Sequence, residues 1–237
     1  MASGFIVEHV FSISSILGRS FSILLRKPGV FFGLSALGMI PTFFVEMLDP
    51  EAAGLILTGT VIDVIVSFLL QAGLAYATYK TLRGEDVSLT ETVSAAWPHL
   101  GPLTGVAVLT GLGILAGLAC LIIPGLILAS IWAVTMPACV MERLGVLDSI
   151  SRSADLTKHY RLPIFVVLFL VMLITLLFVL VDLFFDDGSI TVAGSLFSAF
   201  LMMPSTALEG VVAAVIYYDL RAVKEGLDLE HLAQVFD

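Results

Sequence analysis

The chain has 237 residues, 59% of them hydrophobic and 13% charged, with a mean hydropathy of +1.07. Soluble domains carry about 25% charged residues, so a water-soluble globule is excluded and a membrane is the fitting solvent. The formal charge is -9, from 11 Lys and Arg against 20 Asp and Glu; its distribution between the two membrane faces matters more than the sum, and no nucleic acid is expected as partner.

Glu8 and His9 sit near the start and Arg19 follows the first apolar stretch. The basic, apolar, small-residue order of a signal peptide is missing, so the N-terminus is expected to be retained. Ser12, Ser15, Arg19, Ser22 and Arg26 then recur at spacings of three and four, with Ile13, Leu17, Phe21 and Leu24 on another face. This predicts an amphipathic surface helix.

A crossing helix needs about 20 mostly apolar residues. Six windows qualify, at about 29–48, 54–79, 102–122, 125–141, 164–183 and 190–218. The second carries Thr60, Asp63, Ser67 and Gln71 on one face, and the sixth carries Ser195, Ser198, Met202, Ser205 and Glu209 on one face. Between the second and third windows, Ser88 to Glu91 reads as a capping box opening a helix with Leu89, Val93 and Trp97 on one side.

Gly101, Gly105, Gly113 and Gly117 give the third window two GxxxG steps, expected to pack within the chain. Pro124 and Gly125 then form an uncharged turn into the fourth window. Cys120 and Cys139 fall near opposite membrane faces and predict neither a disulfide nor a metal site. From Leu147 a further surface helix places Asp148, Arg152, Asp155 and His159 on one stripe and Leu147, Ile150 and Ala154 on another. A last surface segment follows Gly226, where Asp228 can cap a helix bearing Leu229, Leu232 and Phe236.

All 11 basic residues lie on one side of this arrangement, and the opposite connections carry Glu46, Asp49, Glu51, Asp182, Asp186 and Asp187 without a basic residue. The positive-inside rule makes the basic side cytoplasmic, with both termini there. The chain enters the membrane three times at a proline, Pro28, Pro102 and Pro163, each after a surface segment. The expected fold is all-α: one polytopic membrane domain over 1–237, six transmembrane helices as three hairpins, each preceded by an amphipathic interfacial helix. Its repeat units are about 8–83, 86–144 and 145–220, with a cytoplasmic amphipathic segment over 221–237.

The run IPGLILASIWAVTMPACVMERLGVLDSISRSADLTKHYRLPIFVVL, from Ile123 to Leu168, resembles the membrane domain of glycerophosphoryl diester phosphodiesterases and of related stand-alone bacterial inner-membrane proteins. The resemblance rests on the Pro124–Gly125 turn, Trp132 to Pro137, Glu142, the segment GVLDSISRSADLTK and the ending YYDLRAVKEGLDLEHLA from Tyr217. It departs at Ile131, where many members carry a basic residue. The resemblance implies an inner-membrane fold rather than a reaction, because the phosphodiesterase chemistry belongs to a separate soluble barrel.

Ionisable residues inside a bilayer are costly, so Asp63, Ser67, Gln71, Ser205 and Glu209 form the candidate intramembrane polar site. Arg19, Arg26, Lys27, Arg152, Lys158 and Arg161 are the candidate membrane-surface contacts. His9, His99, His159 and His231 lack ligand spacing, and no GxSxG, HExxH or P-loop is present, so no metal, cofactor or catalytic residue is expected. These features predict a non-enzymatic membrane protein that organises lipids, a protein partner or further copies of itself. The alternative is a transporter for a small molecule, lipid or cation using Asp63 and Glu209.

Overall fold

In a computed structural model, residues 11–46, 53–185 and 191–225 are described, without the side chains of 45, 46, 53–57, 60, 63, 64 and 122. The last surface segment, with Asp228, Leu229, Leu232 and Phe236, lies outside the described residues, as do His9, His231, Asp49, Glu51, Asp186 and Asp187.

The described residues are all-helical: α1 (Ile13–Arg26), α2 (Pro28–Glu46), α3 (Ala53–Leu82), α4 (Leu89–Ala96), α5 (Leu100–Cys120), α6 (Ile122–Ile131), α7 (Thr135–Met141), α8 (Val146–Thr157), α9 (Arg161–Phe185) and α10 (Val192–Glu225). Among them, four stretches are long and apolar enough to cross a membrane: Leu89–Cys120, Ile123–Met141, Arg161–Phe185 and Val192–Glu225. The pair α1 and α2, bent by 92° around Lys27, counts as a fifth only if the two helices are taken together as one span. The sequence window at 54–79 falls on α3, whose 30 residues reach about 45 Å at 1.5 Å per residue.

α10 is the axis of the bundle. From Ser205 to Leu220 it is almost continuously buried, against α1, α2, α3 and α9. It runs parallel to α3: a Cβ on Gly210 would meet Leu74 at 2.5 Å, and the Tyr79 and Tyr218 rings lie 6.5 Å apart. It runs antiparallel to α9, as the Thr175–Glu209 and Asp182–Ser198 hydrogen bonds require. Phe31, Leu74, Ile164, Val167, Val211 and Ile216 fill the main core. Leu103, Val106, Cys139 and Ala96 fill a smaller one between α4, α5 and α7.

The α5–α6 connection differs from the expected Pro124–Gly125 turn. The chain reverses at Leu121, and Pro124 sits in the first turn of α6, where a missing N–H leaves no intrahelical bond unmade. Gly125 then packs against Gly117, where a Cβ would lie 2.9 Å from the Gly125 backbone. Gly113 holds the Trp132 ring and Gly105 holds Val146, so three α5 glycines, with Gly117, are spent within the chain, while Gly101 and Gly111 face open space.

The window 125–141 is two helices, not one. The break at Trp132 to Val134 precedes Pro137, which falls in the first turn of α7 for the same reason as Pro124. The stranded carbonyl of Ile131, the last residue of α6, accepts from Ser153 Oγ at 2.8 Å and Thr157 Oγ1 at 3.1 Å, both on α8. Pro204, by contrast, lies inside the continuous α10.

The surface helices turn mixed apolar and hydroxyl faces to the bundle. α1 buries Ile16, Ser20, Ile23 and Leu24, while Phe21, expected on the apolar face, is exposed with Leu25. α8 buries Ser149, Ser153, Leu156 and Thr157 and turns Leu147 outward. Small hydroxyl side chains that bond to backbone carbonyls, as Ser20 does to Ile16 at 2.8 Å, allow a polar stripe to face the bundle.

Candidate functional site at the basic end of the bundle

Tyr217, Arg221 and Glu225 follow at intervals of four along α10 and so share one stripe. That stripe meets Glu142, which ends α7, and Arg152, in the middle of α8. Arg152 Nε donates to both Glu142 oxygens at 2.9 Å, and its Nη2 donates to Glu225. Arg221 Nε donates to Glu225 Oε2 at 2.8 Å and lies 3.7 Å from Glu142 Oε1. Tyr217 donates its hydroxyl hydrogen to Glu142 Oε1 at 2.8 Å and accepts from Arg221 Nη1 at 3.3 Å.

Two carboxylates and two guanidiniums thus close a neutral network linking three helices, with side chains 19–29% exposed. Exposed pairs contribute about 0–1 kcal/mol, whereas partly dehydrated, multiply bonded networks contribute more. Burial works against the Arg152 charge, but the bonds from Glu225 and Glu142 outweigh it and hold the guanidinium above its ordinary range.

Further polar ties pin the same end. Arg19 of α1 pairs with Asp219 of α10, which is buried. Lys27 pairs with Asp86, Lys80 with Glu91, and Tyr76 donates to Glu91 at 3.0 Å. Ser88 Oγ caps α4 by accepting from the Glu91 N–H at 3.2 Å. Lys224 Nζ donates to the Asp155 carbonyl.

Of the predicted membrane-surface contacts, Arg19, Lys27 and Arg152 are therefore engaged inside the chain. Arg26, Lys158 and Arg161 have exposed side chains. Around them the surface elements turn large apolar groups outward: Phe21 and Leu25 on α1, Trp97 after α4, Leu147 on α8 and Leu162 at the start of α9. Cations beside outward aromatic and leucine side chains form an edge suited to the headgroup layer.

Among the described side chains of the predicted intramembrane site, no hydrogen bond joins one to another. Glu209 is exposed and faces α9, where Thr175 Oγ1 donates to its Oε1 at 2.8 Å. Ser205 is buried and donates to the Met202 carbonyl of its own helix at 2.8 Å. Gln71 packs against α10 one position on from Glu209, where its Oε1 lies 3.1 Å from a Cβ built on Gly210. Ser67 is half-buried on α3. Asp63 is helical within α3, and its side chain, like that of Thr60, lies outside the described residues.

Sequence reasoning missed the joining of Glu142, Arg152, Tyr217, Arg221 and Glu225. The spacing of Tyr217, Arg221 and Glu225 was the legible signal; the contact across to Glu142 and Arg152 was not. Among the described residues no group of three or more His, Cys, Asp or Glu side chains is placed to hold a metal ion. No protein-family model, no curated protein and no solved structure matches this chain.

Proposed function

We propose that the chain is a non-enzymatic bacterial inner-membrane protein that organises membrane lipids or a protein partner through its basic end. In this reading α2 and α3 also cross the bilayer, giving six spans as three hairpins with both termini in the cytoplasm. The observation that carries it is the network of Glu142, Arg152, Tyr217, Arg221 and Glu225. It draws together the two segments on which the resemblance to the phosphodiesterase membrane domain rests, GVLDSISRSADLTK and the one beginning at Tyr217. The outward Phe21, Leu25, Trp97, Leu147 and Leu162 on the surface elements, together with the exposed Lys158 and Arg161, support lipid contact at that end.

The transporter reading needs the polar stripes of α3 and α10 to face one another, and the pairing of Glu209 with Thr175 of α9 favours it less. Native mass spectrometry of the protein from gently solubilised membranes tests the choice. A retained partner protein, or a lipid held at fixed stoichiometry, is the expected result; a chain that carries neither contradicts the organising role. Reporter fusions after residues 50 and 187 should read as outside, and those after 84 and 225 as inside. An inside signal at 50 would remove the first hairpin.

A further inference from the structure

Glu209 has an unusual position for an ionisable residue. It precedes Tyr217 by eight residues on α10, which places it about 12 Å deeper in the bundle than the basic-end network. Intramembrane carboxyls almost always face a bundle interior or a water-filled cavity. This one is exposed on the outside of the α9–α10 pair. Thr175 supplies one hydrogen bond to Oε1, and no described residue bonds to Oε2. Met172 and Leu176, which flank Thr175, are exposed and apolar.

We propose that Glu209 and Thr175 mark a transmembrane interface with a second copy of this chain. The chemistry fits that occupant. A carboxyl carrying a proton both donates and accepts, so it is satisfied by its own kind. A two-fold axis along the membrane normal brings equivalent groups face to face, and the Thr175 hydroxyls complete a four-group cluster. No Lys or Arg falls in any of the six apolar windows, so a second copy offers hydrogen bonds here and not an ion pair. The apolar flanks supply the surrounding van der Waals contact that helix association in lipid requires. The inference does not depend on what the basic end binds.

The test is single-molecule subunit counting of the full chain in phospholipid vesicles over a series of protein-to-lipid dilutions. The wild type is expected to dimerise, and Glu209→Gln to dimerise with similar affinity, because an amide also donates and accepts. Glu209→Leu should weaken the dimer about tenfold, and Thr175→Val about threefold, as expected for losing interhelical hydrogen bonds. A wild type that stays monomeric at every dilution overturns the proposal, as does Glu209→Leu that dimerises as tightly as wild type. Glu209→Gln that dissociates as readily as Glu209→Leu assigns the contact to charge and also overturns it. A dimer that fails while native mass spectrometry still finds a lipid or partner leaves the basic-end reading standing.

Discussion

The two ends of α10 live in different surroundings. From Ser205 to Leu220 the helix is enclosed by α1, α2, α3 and α9 apart from the exposed Glu209, and its Asp219, Arg221 and Glu225 are tied into ion pairs. From Val192 to Phe200 it is largely open, as is α9 from Leu176 to Phe185, where Leu177, Leu183 and Phe184 are exposed. In lipid an exposed leucine has nothing to escape from, so helices associate only where small residues, hydrogen bonds or ion pairs reward contact. The ion pairs concentrate at the basic end, whereas glycine contacts tie α5 to α6 away from it. Ionic ties therefore fix one end of the bundle, and that end is where a constant surface can be presented.

The sharpest way to break this contrast is to crowd the glycine contacts. Gly210→Leu should cost about 3 kcal/mol, because its Cβ alone would lie 2.8 Å from Leu74 Cβ. Gly111→Leu, with nothing within 4 Å, should fall within about 0.5 kcal/mol of wild type. Thermal unfolding in one detergent measures both.

Next in size is the network. Arg152→Leu leaves Glu142 and Glu225 with Arg221 alone of their two shared cations and should cost about 2 kcal/mol, less than for a fully buried pair because these groups keep some solvent. Asp182→Asn, at the opposite end and bonded only to Ser198 among the described residues, should cost less than about 0.5 kcal/mol. Equal losses for the two would remove the distinction between the ends.

Third, Ser153→Ala combined with Thr157→Val strips both donors from the Ile131 carbonyl and should cost about 1–2 kcal/mol, seen as a lower unfolding temperature.

The smallest effect is a pH dependence at the α1–α2 junction. The Lys27 hydrogen bond and charge hold the Asp86 carboxyl below the usual aspartate range. A depressed folded value means the stabilisation is present above the unfolded value and fades as pH falls through the folded one. Acidification below the usual aspartate range should thus loosen the contact, and Asp86→Asn should erase that slope. Hydrogen exchange over Arg26 to Phe31 reads it.

Much of the fold was legible because membrane spans leave a coarse signal. Helices α2, α3, α5, α9 and α10 lie on the expected windows, and Ser88 caps α4 as its spacing indicated. The α6–α7 break was signalled only by Pro137, which proline tolerance in membrane helices makes ambiguous. The faces that α1 and α8 turn to the bundle were not legible, because Ser20 on α1 and Ser149, Ser153 and Thr157 on α8 join the buried apolar residues by bonding to backbone carbonyls. The candidate site was half legible: Glu142, Arg152 and the YYDLRAVKE stripe stood out separately. Nothing in one sequence says that two segments 65 or more residues apart share an ion pair, as Arg152 and Glu225 do.

The most direct test of the central claim repeats the native mass spectrometry on two variants from the same membranes. Lys158→Glu with Arg161→Glu alters the exposed cations of the basic end; Asp63→Asn with Glu209→Gln neutralises the intramembrane carboxyls. The account predicts that the bound lipid or partner is lost from the first and kept by the second. Retention by the first and loss from the second would contradict it and place the binding site within the spans.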